Sequence, residues 1–213
     1  MIIRNWKHRD PKRRVAGFSF IEILVVLAIM AVLLLFAVPT LWTMMRQAKL
    51  RGVARETQGL MRLARLDAIK HSAQGVVQIV EGDPDAGISP RVQAFSDRDG
   101  DLVWDDGEPM LGRYELPASV TFRDPDGDEL EDSVVDFTPD PEDGPNLAVF
   151  LRDGSIQDRG AFRFADNYDN FLEVRVASTA GRIEVRKCLL CEGDDPDDWW
   201  AEGEGGERAW VWK

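Results

Sequence analysis

The sequence predicts an α+β fold: one long N-terminal helix, part membrane-type and part amphipathic, packed on an antiparallel β-sheet or sheets. Three observations lead there. From Phe18 to Val38 the chain is apolar except for Ser19 and Glu22, about the length a helix needs to cross a bilayer's hydrocarbon core. Beyond Pro39, residues Leu50, Val53, Thr57, Leu60, Ala64 and Ala68 recur at steps of three and four, one face of a continuing helix. From Gly75 onward the apolar period becomes two, and turn clusters rather than helical patterns separate the short runs, so the strands must pair antiparallel and bury one face against the helix.

Taken in order, residues 1–17 form a basic leader. Met1–Ala16 holds six basic residues against Asp10 alone, and the rest of the chain holds 20 basic and 37 acidic residues. Basic residues collect on the cytoplasmic side of a membrane helix, so the leader is expected in the cytoplasm and the acidic body across the membrane. A secretory signal peptide has a shorter apolar core followed by a small-residue cleavage site; here the small residue, Gly17, precedes the apolar run.

Residues 18–39 are the expected membrane helix. Glu22 is its anomaly, since a carboxylate deep in a spanning helix costs roughly 2.5–3.5 kcal/mol and calls for a partner. Residues 40–73 continue as the amphipathic half, with Arg46, Lys49, Arg51, Arg55, Arg62, Arg65 and Lys70 set against Glu56 and Asp67. Pro39 should kink the helix, because its ring removes a backbone hydrogen bond and crowds the preceding turn.

Residues 74–191 form the β body. Val76–Val80, Arg91–Phe95, Ser119–Phe122, Val134–Thr138, Leu147–Leu151, Ala161–Phe164, Phe171–Ala177 and Arg182–Arg186 read as strands. Residues 192–213 are an acidic tail with four tryptophans. Trp210 and Trp212 alternate as in a last edge strand; the other reading is an aromatic surface for a partner subunit or cargo. Cys188 and Cys191 fall on the oxidising side of the expected topology, where they form a local disulfide or stay as thiols.

The acidic stretch Asp97, Asp99, Asp101, Val103, Asp105 and Glu108 places oxygen donors at the first, third, fifth, seventh, ninth and twelfth positions of a calcium-binding loop. Gly100 falls before, and Leu102 at, the place where such a loop bends on its glycine. Calcium is the one cofactor this pattern suggests, with a solvated acidic loop as the alternative. Asp124, Asp126, Asp128, Glu129, Glu131 and Asp132 make a weaker second cluster. No phosphate-binding glycine loop, nucleophile elbow or paired-histidine metal motif is present, so the chain is not expected to be an enzyme.

The stretch Gly17–Glu22, GFSFIE, with a basic leader before it, an apolar run after it and Pro39 beyond, resembles the prepilin cleavage motif of type IV pilins and type II secretion pseudopilins. The passage Arg62–Lys70 into a strand at Val76, the loop Val92–Pro109 and the run Ala180–Ile183 are similar to minor subunits of the GspH/FimT type. The resemblance implies cleavage by a prepilin peptidase between Gly17 and Phe18 and N-methylation of Phe18. It also implies assembly roles for Glu22, paired with the Phe18 ammonium of a neighbouring subunit, and for Pro39 as a hinge.

It implies a structural subunit at or near the tip of a type II secretion pseudopilus or a type IV pilus. The expected partners are other pilin or pseudopilin subunits, the peptidase and inner-membrane lipid. The expected location is the bacterial inner membrane, single-pass with a periplasmic body, and then the filament. The alternative is a tip-displayed binding module for secreted cargo or for DNA. DNA is the weaker option: from Glu81 to Asp143 twenty acids face four arginines, whereas phosphate binding requires local positive charge. DNA binding would rest on local basic patches such as Arg182, Arg186 and Lys187.

Overall fold

Among the described residues helix α1 (Phe20–His71) comes first, and ten strands follow it. The computed structural model describes residues 18–83, 87–125, 127, 133–142, 144–188 and 199–201. The chain divides into two units, Met1–Thr43 and Met44–Lys213. In the first, every described side chain from Phe18 to Val38 is exposed. A helix apolar on all sides belongs in lipid or against other apolar helices. The helix runs on through Pro39.

In the second unit the strands are β1 (Gln74–Val80), β2 (Arg91–Asp97), β3 (Met110–Glu115), β4 (Val120–Phe122), β5 (Val134–Val135), β6 (Ala148–Phe150), β7 (Ala161–Asp166), β8 (Phe171–Val176), β9 (Ile183–Cys188) and β10 (Trp199–Ala201). They form two sheets, one ordered β3-β2-β1-β6 and one ordered β10-β9-β8-β7-β4, with β5 also pairing β7. Every pairing is antiparallel. Strands β4 and β5 share one edge of β7, the first opposite Phe164–Asp166 and the second opposite Ala161–Phe162.

The main core forms where the amphipathic face of α1 meets both sheets. Leu50, Val53, Ala54, Leu60, Met61, Ala64 and Ala68 lie in one cluster with Val77 and Ile79 of β1, Val92 and Ala94 of β2, Phe162 and Phe164 of β7, and Leu172 and Val174 of β8. The alternation of β1 explains a second cluster on the opposite sheet face, where Val76 meets Phe95, Leu147 and Val149.

The approach of helix to strand is close enough to select glycine. A Cβ on Gly75 would stand 2.2 Å from the carbonyl oxygen of Ala64. Arg65 then ties α1 to two loops, its Nε donating to the Gly154 carbonyl at 2.8 Å and its Nη1 to the Gly181 carbonyl at 3.1 Å. Gln58 donates to the Ile183 carbonyl at the start of β9 at 3.2 Å. The glycine of the Ala180–Ile183 run thus has a mechanical reason: its φ is +74° and its carbonyl is a helix acceptor.

Two strands were not expected from the sequence. Strand β3 lies between Pro109 and Pro117, and Leu60 presses on Gly112, where a Cβ would meet Leu60 Cδ2 at 2.7 Å. Its pairing with β2 is interrupted by a register shift beside Ala94 and Phe95, which breaks the two-residue period that marks a strand. Strand β10 comes from the tail: Trp199 pairs Cys188 and Trp200 pairs Lys187. This strand is made by the first tryptophan pair; Trp210 and Trp212, where the sequence suggests a last edge strand, lie outside the described residues.

Candidate functional site

At the start of α1, Phe18 and Ser19 precede the first helical residue, Phe20. The Ser19 carbonyl accepts from the Glu22 N–H at 3.0 Å and the Ile23 N–H at 3.2 Å, which makes Ser19 the N-cap residue and Glu22 the third helical residue. A serine followed three places on by glutamate is the spacing of a capping box. A carboxylate in the first turn also complements the positive end of the helix dipole, worth about 0.3–1 kcal/mol. Glu22 therefore stands where its carboxylate complements the helix N-terminus, a placement legible in the Ser19-x-x-Glu22 spacing. Gly17 and the leader lie outside the described residues.

The second candidate is the connection from β2 to β3. Asp97, at the end of β2, is 1% exposed. It folds the loop around itself, accepting from Gly100 N–H at 2.6 Å through Oδ1 and from Leu102 N–H at 3.0 Å through Oδ2. Asp101 accepts from Val103 N–H at 2.9 Å, and Glu108 Oε1 from Arg98 N–H at 2.6 Å. The bend falls at Leu102, whose φ is +66°, the position where a calcium loop carries glycine. A non-glycine residue is costly there, and Leu102 is held by packing against the second apolar cluster.

Carboxylate oxygens of Asp97, Asp99 and Glu108 lie within 4.8 Å of one another, as do those of Asp99, Asp101 and Asp105. Five of the six expected ligand residues thus come together as two overlapping acidic trios, and Val103 is tied to Asp101 through its N–H. Burial, with the charges of Asp97 and Asp99 adding to it, raises the Glu108 carboxyl above its ordinary value against the lowering pull of its backbone hydrogen bonds. Its Oε2 is buried without a hydrogen-bond partner. Hard oxygen donors of this kind suit calcium.

The weaker acidic cluster loses its leading member. Asp124 is buried and paired with Arg163 of β7; Asp126, Asp128, Glu129, Glu131 and Asp132 lie outside the described residues. Arg163 also reaches Glu173 Oε2 at 3.5 Å, and Arg175 holds Glu173 Oε1 at 2.8 Å. Trp199 lies over Arg163, the guanidinium carbon 4.8 Å from its ring. A cation beneath an indole face in a dry site is a favourable contact, so this tryptophan covers a buried ion cluster.

The strip Arg182, Arg186 and Lys187 does not present three available cations. Arg182 and Arg186 both pair with Glu184, and Lys187 is 2% exposed. Cys188 is disulfide-bonded, and Cys191, the partner expected from the sequence, lies outside the described residues.

Residues 12–38 match the family model described as the prokaryotic N-terminal methylation motif. No curated protein matches the chain. Among solved structures it is similar to the type IV minor pilin FimU of Pseudomonas aeruginosa strain PAO1, at 17% identity and a TM-score of 0.41, over 65% of this chain and 89% of that chain.

Proposed function

We propose that the chain is a minor pilin-type subunit, cleaved after Gly17, methylated on Phe18, anchored in the inner membrane through Phe18–Val38 and then inserted at or near the tip of a type IV pilus or a type II secretion pseudopilus. The observation that carries this reading is the methylation-motif match over residues 12–38, which spans the Gly17–Phe18 bond and the start of a helix apolar on every described side. Lipid covers that surface first, and the helices of other subunits replace it on assembly. Glu22, cleared of the leader, can meet a neighbour's Phe18 ammonium, fixing axial register in the way single buried ionic groups are best known to do.

Mass spectrometry of the mature N-terminus tests the proposal. In a cell containing a prepilin peptidase the chain should begin at N-methylated Phe18. A mature chain beginning at Met1 would falsify the reading. Display of a binding surface for secreted cargo is the second reading. The tail favours it by its composition, and Trp199, which is buried, is not available for that role.

A further inference from the structure

The second unit begins with an interfacial composition. Met44 and Met45 are exposed, and Arg46 and Lys49 follow them on α1. The turn between β7 and β8 brings Tyr168 onto Arg46, the guanidinium carbon 3.6 Å from the ring centroid. Tyr168 remains 54% exposed. The turn is firmly built: Asp166 accepts from the Tyr168 N–H at 2.9 Å, from the Asn170 N–H at 3.1 Å and from Asn170 Nδ2, and Asp169 pairs with Arg123. Both acids of the turn are thereby engaged, while Arg46 and Lys49 have no carboxylate partner among the described residues. Arg46 Nη1 is buried without an acceptor. The result is positive charge with no carboxylate partner among the described residues, near an exposed phenol and two exposed methionines, on a chain that is acidic overall.

Chain length places this patch. Arg46 is eight residues beyond Val38, the last residue of the apolar run. That is at most about 12 Å along a helix, a few ångströms beyond the roughly 5–8 Å polar layer on one face of the bilayer, a gap that the long stems of Arg46 and Lys49 can span. This covalent limit holds whatever the angle between the two units. Aromatic residues with one wet end gather at that depth, and cations there meet lipid phosphates.

We propose that Met44, Met45, Arg46, Lys49 and Tyr168 seat the second unit on the membrane surface before assembly, with the cations on phosphate-bearing headgroups and Tyr168 at headgroup level. The proposal rests on the anchoring reading above. It gives the waiting subunit a held posture, and leaving the membrane would release Tyr168.

The test uses the full chain labelled with fluorotyrosine, in vesicles of phosphatidylethanolamine and phosphatidylglycerol doped with a gadolinium-chelating lipid. The chain has two tyrosines, so Tyr114 on β3 serves as the reference. The Tyr168 fluorine resonance should broaden several-fold more than that of Tyr114. Arg46→Glu and, separately, the exposed-site change Lys49→Glu should remove most of that difference, with an unchanged Tyr114 chemical shift reporting an intact fold. Equal broadening of the two tyrosines in vesicles that retain the chain overturns the seat. A chain that does not float with the vesicles overturns the anchoring reading and the seat with it.

Discussion

Gly75 and Gly59 show how one substitution changes sign with its surroundings. At Gly75 an added methyl would collide with the backbone of Ala64, and neither a helix turn nor a strand start can yield cheaply. Gly75→Ala should lower stability by about 1–3 kcal/mol, the usual range for forced overpacking. At Gly59, in the middle of α1, the same methyl meets nothing within 4 Å, and removing a helical glycine gains about 1 kcal/mol. Gly59→Ala should therefore raise the melting temperature of the isolated subunit in detergent. Thermal denaturation of the two variants side by side checks both signs; a shift in the same direction for both would refute the packing account. The sequence marks Gly75 only as the point where the apolar period changes to two, because close approach between distant segments leaves no local trace.

At the scale of elements, the loop from Asp97 to Glu108 holds itself together and is under electrostatic load. Glu108 titrates above its ordinary value of 4.5, first because its partial burial disfavours the charged form and then because Asp97 and Asp99 are near. A carboxyl raised on folding binds its proton more tightly in the folded state. Its ionised form therefore reduces stability at neutral pH, and that loss fades as pH falls through the raised value toward 4.5. Glu108→Gln keeps an acceptor for the Arg98 N–H, so in the presence of a chelator it should melt higher than the parent at neutral pH, by a margin that shrinks on acidification. Calcium acts on the same load from outside. If the two trios share an ion, titration calorimetry should give binding heat and an upward melting shift, both weakened in Glu108→Gln; absence of both would leave the loop to its own hydrogen bonds.

Strand legibility followed the same physics. Runs with an unbroken period of two, such as Arg91–Phe95 and Phe171–Ala177, lie within or beside the strands that form. Strand β3 was hidden by its register shift and its glycine, and β10 by acidic neighbours whose composition argues for disorder. The acidic trios were visible in spacing. The bend at Leu102 was not, because the packing that holds it comes from β1, β2 and the segment at Leu147–Val149.

For the whole molecule the decisive charge is the one at the start of α1, because the proposed assembly would move that helix from lipid into a bundle of like helices. Two roles compete for Glu22. As an acid in the first turn of α1 it complements the positive end of the helix dipole, and its spacing from Ser19 is that of a capping box. As a buried carboxylate it can pair with the ammonium that cleavage creates on a neighbouring subunit's Phe18. Glutamine separates them, since it retains the reach and hydrogen bonding of a capping box but carries no charge. If register depends on the charge, Glu22→Ala and Glu22→Gln should both be cleaved and anchored normally yet enter filaments poorly, as read by the ratio of membrane-held to filament-borne subunit. If Glu22→Gln assembles like the parent while Glu22→Ala does not, capping is the role and the intersubunit pair is refuted. The charge account expects the two variants to fail together, because an uncompensated ammonium among apolar helices costs far more than a lost cap.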